Sequence, residues 1–299
     1  MIKRIACIAT LLLGSLAARA ETNVIMLGTS TPTPELGRAG AGVAIVVNGH
    51  AYQFDAGGGT VKRDVDASIS LGFPELTPEN INYLFLTHLH SDHIQDVYEL
   101  ATSRWWSRKQ RLTVYGPKGL EKYLGYLNQA ASIEADIRAA GTPKEIITDR
   151  HGYEATAHEI EDGVVFQNDD IKVEAFTVPH GQIKPAFGYR VTTPDKVIVL
   201  SGDTSYSEKV AEMAKGVDIL IHEVASGDQV ATKSEFWQRY HHASHTMGED
   251  VGRIATMAQP KLLVLYHIQF YDATPKQILE EVHRTYKGEV ILANDLDMF

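Results

Sequence analysis

The chain has 299 residues, 44% of them apolar, with 28 Lys and Arg against 38 Asp and Glu and a formal net charge of −10. That length and apolar share allow a hydrophobic core that needs no staple, and the single cysteine, Cys7, excludes a disulfide framework. The acidic balance is the opposite of what a general nucleic-acid binder carries, so nucleic acid is not expected as a partner.

Residues 1–20 read as a leader. Lys3 and Arg4 precede an apolar stretch from Ile5 to Ala18, and Ala18-Arg19-Ala20 stands before Glu21. This is the layout of a cleaved secretory signal peptide; a buried N-terminal helix is the competing reading. The stretch is short for a membrane span, and no other approaches the length. Cleavage leaves residues 21–299, without cysteine and with 25 basic against 38 acidic residues. The expected location is periplasmic or secreted, with no membrane contact after cleavage.

Without an internal repeat, a low-complexity tract or a Pro/Gly-rich linker, residues 21–299 read as one domain. The apolar run Ile81-Asn82-Tyr83-Leu84-Phe85-Leu86-Thr87 reads as a buried strand, and residues 94–103 as a helix. Between them, His88-Leu89-His90-Ser91-Asp92-His93 places four potential metal ligands in six residues. Imidazole and carboxylate are ligands that zinc accepts, and one ion rarely takes all four from one loop. Two ions side by side is the economical reading; a His-rich surface loop is the bland one. The basic stretch Arg104 to Arg111, with Trp105 and Trp106, reads as a solvated helix end or as a patch favouring an anionic substrate. Lys118 to Ala140 is amphipathic, and residues 138–170 read as a polar surface excursion.

Further along, apolar runs end at single candidate ligands. His180 follows Ile171 to Pro179, Asp203 follows Lys196 to Leu200, and His267 follows Leu262 to Tyr266. Loops at a sheet edge gather side chains on a rigid scaffold. His50, His151, His158, His222, His241, His242 and His283 lack this placement and are expected to be solvated or supporting. The runs alternate with amphipathic stretches at Ser207 to Lys215, Thr246 to Ala258 and Thr274 to Tyr286, which argues an α/β layered fold.

The set His88, His90, Asp92, His93, His180, Asp203 and His267 resembles the binuclear metallo-β-lactamase superfamily. Leu27-Gly28-Thr29 and Phe54-Asp55-Ala56-Gly57 resemble its opening strands, the Asp supporting the ligands. Tyr115 to Leu120, Phe187-Gly188-Tyr189-Arg190, His222-Glu223-Val224, His245-Thr246 and Leu292 to Leu296 together resemble its ribonuclease Z branch, which also holds exported arylsulfatase-type enzymes and cyclic-nucleotide phosphodiesterases. Ile94-Gln95-Asp96 departs from the glycines that glyoxalase II-like members carry there. The resemblance implies a four-layer αββα sandwich with the metals at one edge of two facing sheets, and a homodimer as a family-level expectation.

It also implies roles. His88, His90, His180 and Asp203 would hold one zinc; Asp92, His93, Asp203 and His267 would hold the other, with Mn or Fe as alternatives. Zinc brings the pKa of bound water to about 7, which supplies a nucleophile at neutral pH. Asp92 counts with Glu223 and His245 as catalytic; Glu223 would hold His245, raise its pKa and let it protonate the leaving oxygen. The alternative is that His245 caps a helix and Glu223 supports the fold. Only 12 residues separate Arg190 from Asp203, where tRNA-processing relatives insert a long arm. The expectation is therefore an exported hydrolase of small anionic esters: aryl sulfates, phosphodiesters or cyclic nucleotides. β-Lactam hydrolysis ranks second, followed by lactone hydrolysis and ribonuclease Z-type cleavage.

Overall fold

A computed structural model describes residues 21–107, 111–143, 145–147 and 149–299. The leader and part of the basic stretch, residues 108–110, lie outside the described residues. The first sheet runs in chain order through β1 (Thr22–Gly28), β2 (Gly42–Val47), β3 (His50–Phe54), β4 (Tyr83–Phe85), β5 (Thr113–Gly116) and β6 (Thr156–Glu159), antiparallel up to β3 and parallel after it. Its connecting helices are α1 (Thr60–Asp66), α2 (Ser91–Ile94), α3 (Val97–Trp106) and α4 (Leu120–Gly141).

The second sheet holds β7 (Gly163–Gln167), β8 (Lys172–His180), β9 (Ile183–Thr192), β10 (Val197–Leu200), β11 (Ile219–Ala225), β12 (Leu262–Gln269) and β13 (Val290–Leu292), with β13 and β7 at opposite edges. Between these strands come α5 (Glu208–Met213), α6 (Gly227–Val230), α7 (Glu235–Ser244), α8 (Gly248–Ala258) and α9 (Pro275–His283).

Alternation along each strand sorts side chains into separate cores. Val24 and Met26 of β1 meet Ile198 and Leu200 of β10 between the sheets. Ile25 and Leu27 turn outward to Val61 of α1, Leu100 of α3 and Leu120 of α4. On the other side, Val199 and Leu220 pack under Val210 of α5, Ile254 of α8 and Ile278 of α9. The layers are helix, sheet, sheet, helix, as expected. Central strands covered on both faces read as unbroken apolar runs, which is why their sequence shows runs rather than alternation.

Three expectations change. Residues 138–170 are not only surface: they carry β6 and β7, the edge strands by which the chain leaves one sheet and enters the other. They are short, four and five residues, so the sequence marks them weakly. The strand expected over 81–87 is shortened to Tyr83–Phe85. Arg104 does not sit in a solvated helix end; it is fully buried, donating to the carbonyl of Glu79 and to Asn82 Oδ1, each at 2.8 Å. A buried guanidinium persists only when hydrogen-bonded, and the chain turn at Pro78–Asn82 supplies the acceptors.

The far C-terminus is tied to the metal end. Asp295 accepts from Thr29 N at 3.1 Å, Thr29 Oγ1 at 2.8 Å, Ala39 N at 2.7 Å and Arg63 Nε at 3.0 Å. Thr29 O in turn accepts from Ile268 N, next to His267, at 3.2 Å.

Candidate metal centre

The loop after β4 is fixed before its ligands are placed. Asp92 O accepts from Ala41 N at 3.1 Å, and His93 O from Ala56 N at 2.7 Å. The approach is so close that a Cβ on Gly57 would stand 2.1 Å from Asp92 O, so only glycine fits there. Asp55 leaves β3 with φ of 59°. It accepts from Thr87 N at 2.8 Å and contacts His93 Nδ1 at 2.8 Å. That contact orients the ring, leaving Nε2 for a ligand role. Asp96, in the segment that departs from the glycine pattern, accepts from Gly59 N and Val61 N at the start of α1, at 2.8 and 3.0 Å.

The second sheet delivers its groups singly. His180 is the last residue of β8, and its Nδ1 lies 2.7 Å from Ser244 O. Asp203 follows β10 after Gly202. His267 does not follow its strand but lies inside β12, where Tyr266 pairs with Glu223 and Ile268 with Val224. His267 is the extra residue of a β-bulge, with φ of 44°. Bulges re-aim side chains beside active sites, and this one brings His267 Nε2 to 3.1 Å from Asp92 Oδ2.

Two groups result, each with ligand atoms within 4.8 Å of one another: His88, His90, His180 and Asp203, and Asp92, His93 and His267. Asp203 lies between them. Its Oδ2 is 4.0 Å from His88 Nε2, 3.8 Å from His180 Nε2 and 3.5 Å from His267 Nε2, while its Oδ1 is 3.5 Å from His93 Nε2. Six of the seven residues are buried, and His90 is half-buried. His88 Nε2, His93 Nε2, Asp92 Oδ1 and Asp203 Oδ1 are buried without a hydrogen-bond partner among the described residues. Leaving such atoms unsatisfied costs about 1–3 kcal/mol each, and imidazole and carboxylate converging in this way suit a pair of divalent cations. Burial, then the neighbouring His93, holds His88 well below the ordinary imidazole range; burial likewise lowers His90 and His180. These directions favour the neutral ring that ligates. His93 goes the other way: its burial is outweighed by Asp203 and then Asp55, which raise it.

His245 and Glu223 stand beside this centre. The His245 ring lies 5.4 Å from that of His180 and 6.0 Å from that of His267, and a third group of Asp203, His245 and His267 also falls within 4.8 Å. His245 Nδ1 is 3.4 Å from Glu223 Oε2, in electrostatic contact but not aligned as a hydrogen bond. Glu223 Oε1 accepts from Thr246 N at 2.8 Å. The expected rise in the His245 pKa is not found. Burial lowers it, and Asp203 and Asp92 offset that only in part. Burial, then Asp203, raises Glu223 well above the carboxylate range. Both directions favour an uncharged pair.

Two further histidines outside the ligand set are buried. His241 has its Nδ1 2.7 Å from Tyr271 Oη. His222 of β11 is fully buried with its Nδ1 2.6 Å from Glu223 O, and burial lowers its pKa to about 4.

Residues 54–268 match the family described as beta-lactamase superfamily domain. The ribonuclease Z of Mycobacterium sp. (strain KMS) is 30% identical over 247 residues, covering 82% of this chain and 83% of that protein. In fold the chain is similar to the metallo-beta-lactamase fold protein YhfI from Bacillus subtilis, with a TM-score of 0.70 and 19% identity over 93% of this chain and 98% of that one. It is also similar to the short form of human tRNase Z, with a TM-score of 0.63 and 21% identity over 93% and 98%. These names overturn the expectation that excluded nucleic acid as a partner. That expectation rested on net charge, a whole-chain quantity, whereas a strand is held by local basic and aromatic groups.

Proposed function

This chain is a hydrolase of the beta-lactamase superfamily, and we propose that the bond it cuts is a phosphodiester, with two zinc ions held by the seven His and Asp residues. The observation that carries this reading is Asp203, whose carboxylate lies between the two ligand groups with His245 and Glu223 alongside. Ions bound there would supply Lewis-acid activation of water and of the phosphoryl oxygens.

The chain's own residues do the rest. Asp55 and Ser244 O orient His93 and His180, so the ligands need little reorganisation. Glu223 restrains His245 through its Nδ1 edge, leaving the opposite edge of the ring for the substrate. A phosphodiester needs its departing alkoxide protonated, and in the uncharged pair the His245 Nε2–H can pass to that oxygen while the protonated Glu223 carboxyl gives its proton to Nδ1. The 3.4 Å contact is longer than a working hydrogen bond, as is common before substrate binds. The relatives named ribonuclease Z support phosphodiesters over sulfates and bring RNA within the substrate range. Residues 1–20 support export, and a periplasmic product beginning at Glu21 is the expected form.

The test is a substrate panel on the metal-loaded chain: bis-p-nitrophenyl phosphate, a precursor tRNA, p-nitrophenyl sulfate and a cephalosporin. Diester cleavage should lead, vanish with chelator and return with zinc. A cephalosporin or sulfate ester turned over faster than either diester would remove the phosphodiester reading.

A further inference from the structure

A groove of about 440 Å³ opens onto the metal centre at His90, the half-buried ligand, and runs out along α7. That volume lies in the ordinary range for small-molecule sites, about 300–1,000 Å³. One wall is the turn between β8 and β9, Gly181 to Ile183; the other is α7, which presents Phe236, Arg239 and Tyr240. The walls are fixed to each other. Gly181 N donates to Ala243 O at 2.9 Å, and a Cβ on Gly181, whose φ is 53°, would stand 2.7 Å from Ser244 Oγ.

The aromatic residues of α7 are not core. Phe236 is 61% exposed and Tyr240 46% exposed, one helical turn apart, and both face the groove. Trp237 stands behind them, with its ring 5.2 Å from Phe236 and 5.5 Å from Tyr240. Arg239 lies on the same wall with its guanidinium exposed; its contact is Glu235 at 3.4 Å, a surface pair that contributes little. Flat rings and one cation, beginning at a metal ligand, match the chemistry of a nucleoside phosphate: a phosphate at the metals and a base on the rings.

Resting on the phosphodiester reading, we infer that Phe236 and Tyr240 form a stacking subsite for a nucleobase of the substrate, with Arg239 drawing in the adjacent phosphate. Base–aromatic stacking tolerates any base because each has a π-face, so the subsite selects nucleotides without selecting sequence. Loss of one stacked base corresponds to about 5- to 150-fold in affinity.

Binding constants on the metal-loaded full chain test this without reference to turnover, using adenosine 5′-monophosphate, ribose 5-phosphate and inorganic phosphate. The mononucleotide should bind at least about five-fold tighter than ribose 5-phosphate. Phe236→Ala and Tyr240→Ala should each shrink that advantage while leaving inorganic phosphate affinity unchanged, and Phe236→Tyr and Tyr240→Phe should retain it. Equal affinity for the mononucleotide and ribose 5-phosphate overturns the subsite, as does an advantage that survives both alanine variants. So would variants that change only the oligomeric state. Diester turnover measured on the same samples separates the two claims: turnover without base preference sinks the subsite alone, and base preference without turnover sinks the phosphodiester reading while upholding the subsite.

Discussion

The two sheets furnish one centre by different routes. The first sheet places His88, His90, Asp92 and His93 on a single loop after β4, while the second brings His180 from the end of β8, Asp203 from beyond β10 and His267 from within β12, far apart in sequence. The loop's geometry is local, pinned by Asp55, Ala41, Ala56 and the bare Cα of Gly57. The second set depends on strand order and on a bulge at His267. The difference teaches that a loop can announce a metal site, whereas its completion belongs to topology.

If the first sheet only holds metal while the second also supplies the acid, His245→Ala should leave the metal content intact. It should slow an alkyl phosphodiester by about 100- to 10,000-fold and a nitrophenyl ester far less. Equal slowing of both esters, measured by steady-state kinetics, would return His245 to a structural or ligand role. Asp55→Asn probes the local route. Losing a carboxylate behind a ligating histidine should weaken metal binding by about 10- to 100-fold, read by competition with a chromogenic chelator. Unchanged affinity would mean that the loop holds its shape without Asp55.

The smallest effect lies away from the centre. Asp64 of α1 is fully buried, and neither of its carboxylate oxygens has a hydrogen-bond partner among the described residues. Burial, then the nearby Asp96, holds its pKa well above the carboxylate range. The folded chain therefore keeps this proton at pH values where the unfolded chain has lost it. Stability from this group is full below about pH 3.9, the unfolded value, and falls as pH rises toward the folded one. Asp64→Asn should remove that slope and gain about 1–3 kcal/mol at neutral pH, seen in urea melts across pH. A destabilised variant at pH 7 would show that the charged carboxylate is held by something else.

Much of this was legible in the sequence. The loop His88 to His93 carries four potential ligands in six residues, and the apolar runs before Asp203 and Glu223 correspond to β10 and β11. Strands buried on both faces leave such runs because no side of them is wet. Other features left no local trace. The bulge depends on the register between β11 and β12, and the edge strands β6 and β7 are only four and five residues long. Burial of Arg104 and Asp64 was equally hidden, since a charged residue in a helix reads as surface until its neighbours are in place. The expected rise in the His245 pKa failed for a related reason: the sequence named the partner carboxylate but not the depth of burial that outweighs it.

The central claim is that Asp203 joins ligands from both sheets into one two-metal centre. Metal analysis of the purified chain beside its Asp203→Ala variant tests it most directly. The wild type should hold about two zinc equivalents. The variant should hold about one and lose at least about 1,000-fold in diester turnover, the loss of several kcal/mol of Lewis-acid stabilisation. A wild type that stays fully active after chelation, or a variant that keeps both ions and its turnover, would contradict the account.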